Sequence, residues 1–221
     1  MKKLFTAIHK GDLPTVQKLL GKDPALISCT AKKPPKNDDG QSPLQVALKS
    51  GQLEIAVFLL DRGADVNFME APDCANPWRM PVLQDAITAA VMCSRWNAIT
   101  SNGSYEVFST AERADLAFSI LERMLSAADV TCRDSYGNGC YERAILSARQ
   151  ILPKWDRAAK CAMDDRKLTD ELRHDLDRIF CALRAAGVPM DNIDPNWGMP
   201  LAQVYKEEPV GEFLNPTTEQ V

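Results

Sequence analysis

The sequence predicts an all-α chain in which short helical hairpins pack side by side as a solenoid of about five degenerate units. Three observations predict it. Residues 40–67 hold two apolar stripes separated by a glycine and closed by Gly63-Ala64-Asp65. Each stripe spans about nine residues, too short for a helix to be stable without neighbours. The same pattern returns at the helix-opening anchors Leu4, Leu44, Leu83, Tyr141 and Leu201, as expected of a chain whose units bury their apolar sides only against one another.

The clearest unit comes first in the argument. Ser42 can cap a helix whose first position is Pro43, where a missing N–H costs nothing. Leu44, Ala47 and Leu48 share one face, and Gly51 stops the helix. Leu53, Ala56, Val57 and Leu60 stripe a second helix, widened by Ile55 and Leu59, that ends at Gly63. The upstream unit repeats this with Leu4, Ala7, Gly11, Leu13, Val16, Leu19 and Leu20. Downstream, Leu83 with Ala86, Tyr141 with Ala144, and Leu201 with Val204 take the places of Leu44 and Ala47.

Residues 40–67 resemble an ankyrin repeat. The resemblance rests on Asp39-Gly40, Ser42-Pro43-Leu44, Ala47, Gly51, Leu59-Leu60 and Gly63-Ala64-Asp65-Val66-Asn67. It departs at Gln45, where the family usually has His; Gln can still hydrogen-bond to a neighbouring loop. An ankyrin-type solenoid then implies one domain over residues 1–214, with repeats near 3–28, 37–67, 78–131, 134–191 and 194–214 and a flexible tail at 215–221. The anchors stand 40, 39, 58 and 60 residues apart, beyond the roughly 33 of an ankyrin unit. Repeats 3 and 4 therefore carry extended helices or loops. The extra chain lies near 94–110 and 153–168, at the turn between the two helices of each unit. Residues 168–187 read as one long second helix striped by Leu172, Leu176, Ile179, Phe180 and Leu183, and Ser109 with Glu112 as a capping box opening its counterpart. The connecting fingers at 32–41 and 68–80 are rich in Pro, Asn and Asp, as solvated loops are.

Bulk properties exclude several classes. The 221 residues carry 26 Lys+Arg against 30 Asp+Glu, a formal charge of −4, and this mild acidity argues against a broad nucleic-acid footprint. Lys32, Lys33 and Lys36 make one small basic cluster, read as a solvated loop because Pro34 and Pro35 sit within it. The apolar run from Leu4 to Ile8 is shorter than the roughly seven residues a signal peptide needs, and no run reaches the roughly 18 of a membrane span. A cytoplasmic monomer is the expectation. The seven cysteines are odd in number and contain no C-x-x-C, so buried free thiols are expected rather than a metal ribbon or disulfide framework. Cys132 and Cys140 flank a turn and can approach each other.

The pattern holds no catalytic signature. Only two histidines occur, His9 and His174, and there is no H-E-x-x-H, Walker loop or Ser-His-Asp order. No enzyme activity, cofactor or metal is expected. The resemblance implies instead a non-catalytic module that binds another protein, in a narrower form as an inhibitor. The family includes toxin-neutralising immunity-type proteins of bacterial gene clusters, which is one alternative; an enzyme or small-molecule sensor with a pocket between the two insertions is the alternative of another class. In ankyrin-like stacks the first helices and finger tips form the binding face, which points here to Asp38, Asp39, Gln41, Lys49, Trp78, Arg79, Tyr136 and Asn138. The insertions carry Trp96, Tyr105, Trp155 and Arg157, a candidate secondary surface. Packing of Trp96 on Trp155 is the simpler expectation for those two, since Trp is highly buried on average.

Overall fold

The structure is a computed structural model that describes residues 1–33, 35–190, 192–194 and 197–214. The tail expected at 215–221 and the Asp191 boundary of the fourth repeat lie outside the described residues.

Helices come in pairs. Helix α1 (Lys2–His9) precedes α2 (Leu13–Lys22), and a short 3-10 helix follows at Pro24–Ser28. The next pair is α3 (Pro43–Lys49) and α4 (Leu53–Asp61). Ser42 caps α3 as its sequence predicts: its Oγ accepts from the Gln45 amide, and the Gln45 side chain accepts from the Ser42 amide, each at 3.2 Å. Gly63 leaves α4 at φ +81°, a left-handed conformation costly for residues with a Cβ. The Gly63 and Ala64 amides then close the helix end on the Leu60 and Leu59 carbonyls.

The later pairs are longer. Helix α5 (Val82–Met92) is joined to α6 (Ala111–Leu125) by a ribbon of β1 (Asn97–Ile99) and β2 (Tyr105–Val107). Helix α7 (Cys140–Ile151) is joined to α8 (Asp170–Ala185) by β3 (Trp155–Asp156) and β4 (Cys161–Ala162). A third ribbon, β5 (Ile193–Asp194) with β6 (Met199–Pro200), leads into the four-residue α9 (Leu201–Val204) and a 3-10 turn at Pro209–Phe213. All three ribbons are antiparallel. The insertions are thus hairpins, where the sequence predicts only loops or longer helices. The capping residue of α6 is Thr110, whose Oγ accepts from the Arg113 amide, one position after the expected Ser109. Ser109 instead donates to the Cys93 carbonyl.

Two rows of helices result. The first helices contact in the order α1, α3, α5, α7, and the second helices in the order α2, α4, α6, α8. Between them runs one continuous apolar cluster from Leu4 to Leu214. Small residues at the contacts, among them Ala47, Ala56, Ala86, Ala144 and Ala148, are all buried and let the rows approach. At the far end Phe213 stacks on Phe180 at 5.7 Å, and Phe180 meets Tyr141 edge-on at 6.1 Å, so the last turn covers the row end with aromatic area.

Candidate functional site

The chain between paired helices forms fingers beside the first row, and side chains pin their backbone alongside backbone bonds such as that from the Ser135 amide to the Arg79 carbonyl at 3.0 Å. Asp39 accepts from the Lys33 amide at 2.9 Å and from the Ala75 amide at 2.8 Å, tying two fingers together. Those two backbone bonds, Ala75's the stronger, hold its carboxyl below the ordinary value. Gln45 spans the same gap from the helix side. Its Nε2 donates to the Met80 carbonyl at 2.8 Å and to Asp85 at 3.1 Å, so Gln45 does bond to a neighbouring loop. Gln84 repeats the move one unit on, donating to the Asn138 carbonyl at 2.8 Å.

Asp134 organises the third finger. Its Oδ1 accepts from the Tyr136 and Asn138 amides, and its Oδ2 from Asn138 Nδ2, Trp78 Nε1 and Arg143 Nη2, at 2.9 to 3.2 Å. Burial pushes the Asp134 carboxyl up, but the bonds from Asn138, Trp78 and the turn amides together outweigh it and hold the group below its ordinary value. Arg143, itself buried, lies under the Trp78 ring at 4.8 Å. This support fixes Trp78, whose ring meets Tyr136 edge-on at 5.8 Å. Both remain open to solvent, Trp78 at 41% and Tyr136 at 67%.

The aromatic pair stands between two clefts. One, of about 540 Å³, is lined by Asp38, Lys49, Asn76, Trp78 and Met80 among others. The second, of about 480 Å³, is lined by Tyr136, Asn138, Glu142, Ile193 and Tyr205 among others. Under the first cleft two carboxylates are buried. Lys49 Nζ sits 4.0 Å from Glu70 and 3.8 Å from Asp85, and both carboxylates are almost wholly out of solvent. Burial, opposed by Lys49 and reinforced by Glu70, pushes Asp85 up to about 7. At the rim His9 Nε2 meets Asp38 Oδ2 at 2.6 Å.

The structure therefore divides the predicted face. Trp78, Tyr136 and Lys49 border the clefts with solvent-exposed atoms. Asp38 is buried beside His9, and Gln41 is fully buried and donates to Glu70 at 3.3 Å. Arg79 is half-buried, its amide bound to Ser135 Oγ at 3.1 Å, and Asn138 is held by Asp134 and Gln84. Sequence reasoning missed Asp134, Arg143, Glu70 and Asp85, and also the exposed Ile193, which lines the second cleft, and the exposed Trp197.

At the insertions, Trp96 stacks on Phe108 at 4.3 Å, not on Trp155. The hairpin returns Phe108 to Trp96, its amide bonding the Trp96 carbonyl at 2.9 Å, so a local partner takes the ring. The two insertions nevertheless touch, as their equivalent positions imply. Asn97 and the Lys167 backbone exchange two bonds at 2.8 and 2.9 Å, and Arg166 lies over Trp96. Arg95 grips Asp175 of α8 through both Nε and Nη2 at 2.9 and 2.8 Å. Tyr105 is exposed on β2. Arg157 turns to the C-terminal end, where it and Arg149 clamp Glu208 at 2.6 and 2.8 Å. The roughly 380 Å³ cavity beside Trp155 is lined by the second insertion, α7 and residues 208–210, and takes no residue of the first insertion. Among the described residues no group of three or more His, Cys, Asp or Glu is placed to hold a metal, and no helix is long and apolar enough to cross a membrane.

Residues 2–70 match the family model described as ankyrin repeats (3 copies). No curated protein matches the chain. The first third of the molecule is thus built of ankyrin repeats, units that generally serve as protein-interaction modules.

Proposed function

We propose that this chain, ankyrin-repeat over residues 2–70, continues the same stack to residue 214 as one domain of about five units and binds a partner protein along the finger side of its first-helix row. The observation that carries the reading is the Trp78–Tyr136 pair: two exposed rings, braced from beneath by Asp134 and Arg143, between two clefts. Large rigid side chains held in place before binding lose little entropy on contact, which is why Trp, Tyr and Arg dominate binding hot spots. Clefts on either side give a partner's side chains somewhere to go. Lys49 supplies a cationic contact whose orientation is set by Glu70 and Asp85. Asp39, Gln41 and Asn138 serve the face by holding the fingers, and Asp38 by anchoring His9.

The test is affinity for a partner recovered with the full chain. Tyr136→Ala is the cleanest variant, because its exposed ring supports little besides Trp78. It is expected to weaken binding at least about tenfold, roughly 1.4 kcal/mol, with the melting temperature unchanged. Unchanged affinity in both Tyr136→Ala and Lys49→Ala would remove the face from consideration. Inhibition of that partner is the narrower form of the reading, decided by assaying the partner's own activity with the chain in excess. A metabolite that raises the melting temperature specifically would favour a small-molecule sensor instead.

A further inference from the structure

The two cysteines that flank the third finger are placed for a reaction the binding reading does not use. Cys132 lies just before the finger and Cys140 opens α7. The Asp134 amide bonds the Asn138 carbonyl at 2.9 Å and the Gly137 amide bonds the Asp134 carbonyl, so the chain doubles back with residue 134 opposite 138. Continuing that register outward sets 132 opposite 140. The sulfurs indeed lie 3.6 Å apart, both as free thiols. A disulfide needs about 2.05 Å between sulfurs and Cβ atoms roughly 3.5–4.5 Å apart, a separation near that of directly opposed ribbon residues. Closure therefore asks for a shift of about 1.5 Å in two side chains, with the backbone already turned.

We propose that Cys132 and Cys140 form an oxidisable dithiol that a hydroperoxide converts to an intramolecular disulfide across the base of the finger bearing Tyr136. The two sulfurs differ in environment. Cys132 is half-buried, so a small oxidant can reach it, whereas Cys140 is 1% exposed. The hydrogen bond between them favours the thiolate at Cys132, and together with burial it disfavours the thiolate at Cys140. Cys132 is accordingly the attacking sulfur. Its thiolate displaces at one peroxide oxygen, the O–O bond breaks, and the leaving oxygen takes the proton that Cys132 gave up, departing as water when the oxidant is hydrogen peroxide. The sulfenic acid left on Cys132 is attacked by Cys140. The S–S bond forms as the S–O bond breaks, and a second water leaves with the Cys140 proton. Two thiols and one peroxide become one disulfide and two waters, and the two electrons removed from sulfur end on the peroxide oxygens.

Cys161 and Cys181 are exposed and would compete for oxidant, so the experiment uses the full chain with both changed to Ser. The reduced protein is treated with hydrogen peroxide, quenched with catalase, alkylated in denaturant and digested with trypsin, which cuts after Arg133 between the two cysteines. The expected product is peptide 124–133 joined to peptide 134–143, separated again by dithiothreitol. Cys140→Ala also removes the hydrogen bond that favours the Cys132 thiolate, so Cys132 should oxidise more slowly there and stop at the sulfenic acid, trapped by dimedone. Recovery of both cysteines alkylated would overturn the proposal. So would Cys132 oxidised to sulfinic acid with Cys140 still free, or either cysteine joined to Cys29, Cys74 or Cys93 instead. Should Cys140→Ala fail to fold, the linked-peptide measurement decides alone, because it changes neither cysteine of the pair.

Discussion

Asp134 is the single side chain on which the aromatic ridge most depends, and replacing it with Ala removes five acceptor contacts at once. The largest loss is not the hydrogen bonds to the turn but the charge left behind. Arg143 is 4% exposed, and Asp134 is its ion-pair partner. Stranding a buried guanidinium costs about 3–5 kcal/mol, more than the roughly 1 kcal/mol expected of an ordinary hydrogen bond. For a chain of this length that corresponds to a fall of roughly 6–20 °C in melting temperature. Urea unfolding followed by circular dichroism supplies the free energy. The diagnostic comparison is a double-mutant cycle: Arg143→Met removes the stranded charge, so Asp134→Ala with Arg143→Met should be more stable than Asp134→Ala alone. Acid gives a second check. The folded state holds the Asp134 carboxyl below its ordinary 3.8, so its contribution is present above about pH 4 and is lost as pH falls through the lower folded value. A loss under about 1 kcal/mol, or costs that simply add within about 0.5 kcal/mol, would refute the assignment of Asp134 and Arg143 as one unit.

Other perturbations have equally defined outcomes. Burial raises Asp85 from 3.8 to about 7, so the stability its protonation contributes is complete below about pH 4 and is lost as pH rises to 7; wild type should lose stability between about pH 4 and 7, and Asp85→Asn should flatten this part of the profile. Lys49, Glu70, Gln45 and Arg143 are the groups acting on it and stay in place in that variant. Gly40 has φ +84° and an added Cβ would fall 2.7 Å from Cys74 Cβ, whereas Gly63 at φ +81° faces open space. Gly40→Ala should therefore cost more than about 2 kcal/mol and Gly63→Ala only about 1 kcal/mol by chemical denaturation. Arg95→Ala breaks a two-pronged bond to the buried Asp175 but leaves that carboxylate Arg178 at 3.3 Å and the residue-95 amide; it should lower stability by about 1.5–2 kcal/mol while leaving partner affinity unchanged.

What the sequence shows of this molecule follows the range of the interactions involved. Helix pairs are written locally, in stripes of apolar residues and in Ser42-Pro43 and Gly63, and they stand where the pattern puts them. Asp134 is visible as a turn residue four positions before Asn138, but its grip on Trp78 joins residues 56 apart. No periodicity encodes such a pair. Glu70 lies in a finger with no regular structure, and Asp85 on the first turn of α5 reads as an ordinary acidic helix start; only the stack reveals that both meet under Lys49. The insertion ribbons were hidden for a different reason. Their strands hold two or three residues, and β2 is exposed along its whole length, so no alternation of burial marks it. Ser109 and Thr110 are chemically equivalent caps, and the tie of Ser109 to Cys93 leaves the role to its neighbour.

The most direct measurement places a photo-crosslinking phenylalanine analogue at position 136 or at position 105 and asks which one attaches to a recovered partner. Tyr136 and Tyr105 are both exposed, one on the third finger and one on the first insertion. The account predicts efficient crosslinking from 136 and little from 105. Crosslinking from 105 with none from 136 would contradict it and move the binding surface to the insertion ribbons.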